Sequence, residues 1–300
     1  MAEAKALFLT YDPASEFEAP ERRVLIARST ADPFLIAARI AFARRVGPVI
    51  SQPSDAEGYL RGRSARVRKF DLGEASRLDP DVYLRDAKVD VDLMRPEIEL
   101  TVVRGEREYL AVTAPRAMVQ DWMGRRPRRR PFFHPSAMFP KLSRALVNLS
   151  RVKAGETFLD PFAGTGSLPI EASLVGAKAV ALDRDRKMVR GALGNMKGLG
   201  QEWLGVMRAD AFLPPLARVD AIATDVPYGR ASSTLGADRD EVVGLALSSM
   251  AKLLSAGCRA VLMHAKTGAP LVAGDFELEE EHDLYVHKLL TRTISVLRRR

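Results

Sequence analysis

A chain of 300 residues with 47% hydrophobic and 28% charged residues carries enough apolar material for two compact domains, which excludes wholesale disorder. Its 46 Lys and Arg against 38 Asp and Glu give a formal net charge of +8, which favours a polyanionic partner but says nothing about fold. The single cysteine, Cys258, excludes an intramolecular disulfide and a multi-cysteine zinc site, so no metal is expected and a reducing cytoplasm is the expected compartment.

Residues 1–115 read as a small α+β module. ALFLTYD and RRVLIARS suggest strands, whereas DPFLIAARIAFARRV has helical spacing, with Asp32 as N-cap, Pro33 at the first helical position and Gly47-Pro48 as the stop. ARVRKFDL, IELTVVRG and EYLAVTA suggest three more strands, the last two joined at Gly105-Glu106. The opening MAEAKALFLTYD lacks the basic start of a secretory signal, and no window reaches the ~18–20 apolar residues that cross a bilayer. No membrane association is expected.

Residues 116–140 hold four prolines and a cluster of five arginines, Arg125, Arg126, Arg128, Arg129 and Arg130, within six positions, and read as a basic linker that touches nucleic acid. The second domain, 141–300, opens with the helix KLSRALVNLSRV, closed by Gly155. Strand and helix patterns then alternate, the signature of a doubly wound parallel sheet. ETFLD, KAVALD, GVMRAD, VDAIATD and RAVLMHA are its predicted strands, and FELEEEHDLYVH with LLTRTISVLRR reads as a closing antiparallel hairpin.

Two segments carry the chemistry. After the first strand, Asp160, Pro161, Phe162, Ala163, Gly164, Thr165 and Gly166 form a cofactor turn in which glycine lets backbone approach a ligand. A dinucleotide turn needs a third glycine three residues on, where Pro169 stands, so a pyrophosphate is disfavoured and S-adenosylmethionine (SAM) preferred. Asp160, Asp183, Asp210 and Asp225 each end a predicted strand, so a parallel sheet gathers them at one rim. Singly, each reads equally well as a helix cap or turn carboxylate. Together they match the donors of SAM: Asp183 suits the ribose diol, Asp210 the adenine edge. In Asp225-Val226-Pro227-Tyr228 a carboxylate, a backbone carbonyl and a ring converge, which suits an exocyclic amine on a planar base. His134 in the linker is a candidate for the cofactor pocket or an ordered loop residue. His264, His282 and His287 form no metal spacing.

These segments resemble the archaeal tRNA (guanine-N2)-methyltransferases that act on guanosine 10, in which a THUMP-containing region precedes a Rossmann-like class I methyltransferase domain. RPRRRPFFHPSAMFPKLSRALVNLSRV is similar to the family's linker and entry helix, DPFAGTGSLPIEA to its cofactor turn, TDVPYGR to its catalytic loop and VHKLLTRTISVLRR to its final strand pair. ARVRKFDL and VDLMRPEIELTVV carry the weaker N-terminal match, which makes 1–115 a THUMP-like RNA-binding domain. The resemblance implies that Asp160, Gly164 and Gly166 hold the methionine end of SAM, Asp183 the ribose, and Asp210 with Ala211 the adenine. It further implies that Asp225, the Val226 carbonyl and Tyr228 hold a tRNA guanine. The chain departs from the family loop at Val226, where Asp-Pro-Pro-Tyr is usual, and valine lacks proline's fixed φ. A monomer is expected. The alternatives are an exocyclic amine of ribosomal RNA or DNA as target, or an RNA-binding protein with a relic methyltransferase fold.

Overall fold

A computed structural model of the chain describes every residue except 22, 72–88, 106, 116–120, 201, 228–238, 267–270, 272–273 and 288–289. Two compact units divide it, Met1–Asp121 and Trp122–Arg300.

The first unit opens with a helix, α1 (Ala2–Tyr11), where ALFLTYD suggested a strand. Alanine, leucine, lysine and glutamate are strong helix formers, and Glu3, Leu7 and Thr10 fall on one buried face. β1 (Glu16–Glu21) and β2 (Val24–Arg28) form an antiparallel pair. α2 (Pro33–Arg39) starts as expected, the Asp32 side chain accepting from the Phe34 N–H at 2.9 Å. It stops well short of Gly47, because the buried Glu3 carboxylate takes the Ala41 and Phe42 N–H groups at 2.8 and 2.9 Å. Those donors are unavailable to another helical turn.

α3 (Pro53–Leu60) packs on one face of a four-stranded sheet ordered β4-β3-β5-β6, made of β3 (Ser64–Asp71), β4 (Asp90–Val91), β5 (Ile98–Arg104) and β6 (Glu108–Thr113). Ile50, Ala56, Leu60, Leu100, Val102 and Val112 form that core. The alternate β5 position, Glu99, is fully buried and gathers Arg45, Arg66 and Arg68.

In the second unit a turn of 3₁₀ helix (Pro127–Arg129) precedes α4 (Pro140–Leu149). β7 (Thr157–Asp160), α5 (Ser167–Ser173), β8 (Lys178–Asp183), α6 (Arg186–Gly198), β9 (Gly205–Arg208) and β10 (Val219–Asp225) follow. The chain continues through α7 (Arg239–Leu253), β11 (Leu254–Ala265), β12 (Phe276–His287) and β13 (Leu290–Arg299). The seven strands lie in the order β12-β13-β11-β10-β7-β8-β9. β7 to β11 run parallel, and β13 is antiparallel to both neighbours. This is the α/β, mostly parallel sheet of a class I methyltransferase, with the expected closing antiparallel pair. The strand order reverses between β7 and β10, and the carboxyl ends of those two strands are where an open α/β sheet takes its ligand. Among the described residues, no helix is long and apolar enough to cross a membrane.

Candidate active site

β7 delivers Asp160 to that reversal point, and the chain leaves it through a tight turn. The Ala163 N–H donates to the Leu182 carbonyl at 2.8 Å, pinning the turn to β8. Gly164 and Gly166 sit at φ +50° and +81°, and a Cβ on Gly164 would point into open space. The glycine there serves the left-handed backbone, leaving its environment open for a ligand. Gly166 starts α5. The Gly164 N–H donates to Asp183 at 2.9 Å, and the other Asp183 oxygen accepts from the Asp185 N–H at 2.8 Å.

Asp160 is almost wholly buried. The Thr224 hydroxyl donates to its Oδ1 at 2.6 Å and the Phe162 N–H to the same oxygen at 3.1 Å. Burial, only partly opposed by those bonds and reinforced by the charges of Asp225 and Asp183, pushes this carboxyl up to about 7. Both described bonds fall on Oδ1. Burial likewise raises Asp183. Asp210 lies just past β9, exposed, and accepts from the Phe212 N–H at 3.0 Å. The buried Ala211 takes the Ser249 hydroxyl on its carbonyl at 2.9 Å, tying this loop to α7. The rings of Phe162 and Phe212 meet edge to face at 6.0 Å, so the turn after β7 and the loop after β9 share an aromatic contact.

On the other side of the reversal, β10 ends at Asp225. Its carboxylate is held by both terminal nitrogens of Arg292 from β13, Nη1 at 2.8 Å from Oδ2 and Nη2 on Oδ1. Burial raises the Asp225 carboxyl, and Arg292 opposes that shift. Spacing gave no sign of Arg292, 67 positions along; the one available signal was a lone charge in the otherwise uncharged run LLTRTISVL. The Val226 N–H donates to the Met263 carbonyl at 2.9 Å, a ladder bond that proline cannot make, and its side chain joins the core. Tyr228 lies outside the described residues, and Pro227 is partly buried.

The linker divides in two. Arg125 pairs with the buried Glu171 of α5 through Nε and Nη2 at 3.0 and 3.2 Å, and the fully buried Arg144 of α4 joins the same carboxylate at 2.8 Å. Arg130, buried, donates to the Ser167 hydroxyl at 2.7 Å. Asn195 of α6 clasps both the linker and the cofactor turn, donating to the Phe132 and Thr165 carbonyls at 3.0 Å each and accepting from the Phe132 N–H at 2.7 Å. Gly191 makes room for this strap, since a Cβ there would lie 2.0 Å from the Phe132 ring. Arg125 and Arg130 therefore pair with groups inside the second unit. Arg128 and Arg129 are exposed and Arg126 is partly so. The His134 ring accepts from the Ser136 N–H at 3.3 Å and meets its hydroxyl at 2.7 Å, the arrangement of an ordered loop residue.

Residues 127–294 match the RMKL-like methyltransferase domain family. Over 282 residues the chain is 34% identical to the tRNA (guanine(10)-N2)-dimethyltransferase of Methanothermobacter thermautotrophicus, covering 87% of this chain and 84% of that one. A protein of the same name from Methanocaldococcus jannaschii is 36% identical over 219 residues, 70% of this chain and 60% of that one. TrmN from Thermus thermophilus shares the fold, with a TM-score of 0.51 at 24% identity over 96% of this chain and 92% of that one.

Proposed function

Because the chain belongs to the tRNA (guanine(10)-N2)-dimethyltransferase family and carries its RMKL-like methyltransferase domain, we infer that it methylates the exocyclic N2 amine of a tRNA guanosine, guanosine 10 first among them. The observation that carries this reading is the placement of Asp225 across the strand-order reversal from the turn that holds Asp160. A donor bound over β7 and a base held at the end of β10 then share one cleft.

The class I fold and the methyltransferase domain imply SAM, and the residues fit it. The buried Asp160 suits the methionine ammonium, Asp183 the ribose diol, and Asp210 with Ala211 the adenine edge, with Phe162 and Phe212 as apolar walls. When bound, SAM supplies a methyl group made electrophilic by a sulfonium.

The chain's own work is positional. Nitrogen conjugated into a purine is a poor nucleophile. Accepting its two hydrogens on the Asp225 carboxylate and the Val226 carbonyl favours a pyramidal nitrogen with its lone pair turned to the methyl group. The ladder bond from the Val226 N–H anchors the Asp225–Val226 peptide, the unit just before that carbonyl, where the family loop has a proline. Tyr228 is assigned the stacking role, and a target within a stem must first be flipped out. Alignment of this kind supplies several kcal/mol, up to about 7–11, of barrier reduction.

Incubation with labelled SAM and unmodified tRNA transcripts, followed by mass spectrometry of the nucleosides, tests the reading. Label in N2-methylguanosine or N2,N2-dimethylguanosine supports it. Label in another nucleoside, or none in any RNA, overturns it.

A further inference from the structure

Arg292 stands in a buried position on β13, and its guanidinium forks onto both oxygens of Asp225. A fork of this kind uses one lone pair on each oxygen and leaves the other for a further donor. The Asp225 side chain stays 27% exposed, enough for an amine to reach it. The charged groups around it come from three strands. Asp160 on β7 repels its negative charge, and Arg292 on β13 attracts it. On β11, His264 is turned to Ser295, and Lys266, just past its end, to Asp283.

Resting on the function inferred above, we propose that Arg292 is a positioning residue for methyl transfer. It holds the Asp225 carboxylate anionic and in one rotational setting, so that Asp225 accepts the amine's hydrogen bond without taking its proton. Transfer forms the N–C bond from the amine lone pair while the C–S electrons pass to sulfur. The nitrogen proton then leaves to water, because protonating Asp225 breaks its charge pairing with Arg292. A carboxylate that remains an acceptor throughout stays ready for a second transfer at the same nitrogen.

The test compares wild type with Arg292→Gln, Arg292→Lys and Asp225→Asn. Single-turnover rates with tRNA are measured from pH 5 to 9, alongside SAM affinity, thermal melting and a ¹³C-carboxyl titration of the aspartates, with Asp225 assigned by its loss in Asp225→Asn. Arg292→Gln is expected to bind SAM as wild type does, to raise the Asp225 titration by at least about one pH unit, and to move the acid limb of the rate with it, a tenfold loss at pH 5.5 beyond that of wild type. Arg292→Lys keeps the charge without the fork, so its acid limb stays near wild type while its plateau falls. Because that variant keeps a cation beside Asp225, it also serves should Arg292→Gln not fold. An unchanged Asp225 titration in Arg292→Gln, an equal loss at every pH, or a full plateau in Arg292→Lys overturns the proposal. If wild type transfers no methyl group to tRNA, the functional reading falls, and the aspartate titration alone still decides whether Arg292 holds Asp225 ionised.

Discussion

Two carboxylates on adjacent strands, Asp160 buried and Asp225 half-buried, are set to different tasks by what faces them. Asp225 meets a guanidinium, whereas among the described residues Asp160 meets a hydroxyl, an amide and other carboxylates. Its carboxyl, pushed up to about 7, is largely neutral in ligand-free protein below that pH. An ammonium group binds the anion, so SAM affinity should weaken about tenfold per pH unit below 7. Titration calorimetry at pH 6, 7 and 8 in buffers of different ionisation heat measures both the affinity and the proton released on binding. Asp160→Asn should flatten the slope. The same shift has a stability sign: the folded state retains the proton that the unfolded state has lost, so the contribution to ligand-free stability falls as pH rises from about 4 towards 7. Asp225→Ala is expected to keep SAM affinity within about threefold while lowering the single-turnover rate by at least about 100-fold, an interaction made in the transition state. Filter-binding and rapid-quench measurements separate the two. The strand-end aspartates were legible in the sequence because a parallel sheet turns a pattern of strand ends into a place. Arg292 was not, since an antiparallel return brings it to Asp225 across 67 positions and no local periodicity encodes that pairing.

At the scale of elements, the linker strap shows how the cofactor turn is held. Glu171 of α5 binds Arg125 from the linker and Arg144 from α4, while Asn195 of α6 ties Phe132 to the backbone of Thr165. Three helices and the linker thereby fix one turn. Glu171→Gln removes the carboxylate that both guanidiniums share, and a buried pair broken on one side costs about 3–5 kcal/mol. Denaturant unfolding should show that loss as a lower midpoint, with SAM affinity falling because the turn loosens. A variant with wild-type stability would remove the strap from the scaffold. Alternating elements from 156 onward were readable because each buried strand there is a short apolar run between turn residues. The N-terminal helix was not: ALFL is a run that strand and helix share, and the decision came from Glu3, whose partners at 41 and 42 lie far along the chain. The same contact cut short the helix after Asp32. Linker composition did not separate the arginines by environment, because an arginine-rich segment reads alike whether its charges face solvent or a buried glutamate.

For the whole molecule, the formal charge of +8 overstates what a polyanion meets. Arg125, Arg130, Arg144 and Arg292 face interior partners in the second unit, as Arg45 and Arg66 do around Glu99 in the first. Arg128 and Arg129 remain exposed on the 3₁₀ turn, one of them stacked on Phe133 at 5.5 Å. Each phosphate neutralised by such a side chain releases counterion and steepens the fall of affinity with salt. The double change Arg128→Ala, Arg129→Ala should therefore lower the slope of log affinity for tRNA against log salt by up to about 2, with melting temperature and SAM affinity unchanged. Arg125→Ala should do the opposite, lowering stability through Glu171 and leaving the slope of the folded fraction intact. Binding isotherms from 50 to 300 mM salt, on the order of the range where counterion release dominates, separate the two. If the slope is the same in Arg128→Ala, Arg129→Ala as in wild type, the linker is scaffold alone and tRNA is gripped elsewhere on the protein.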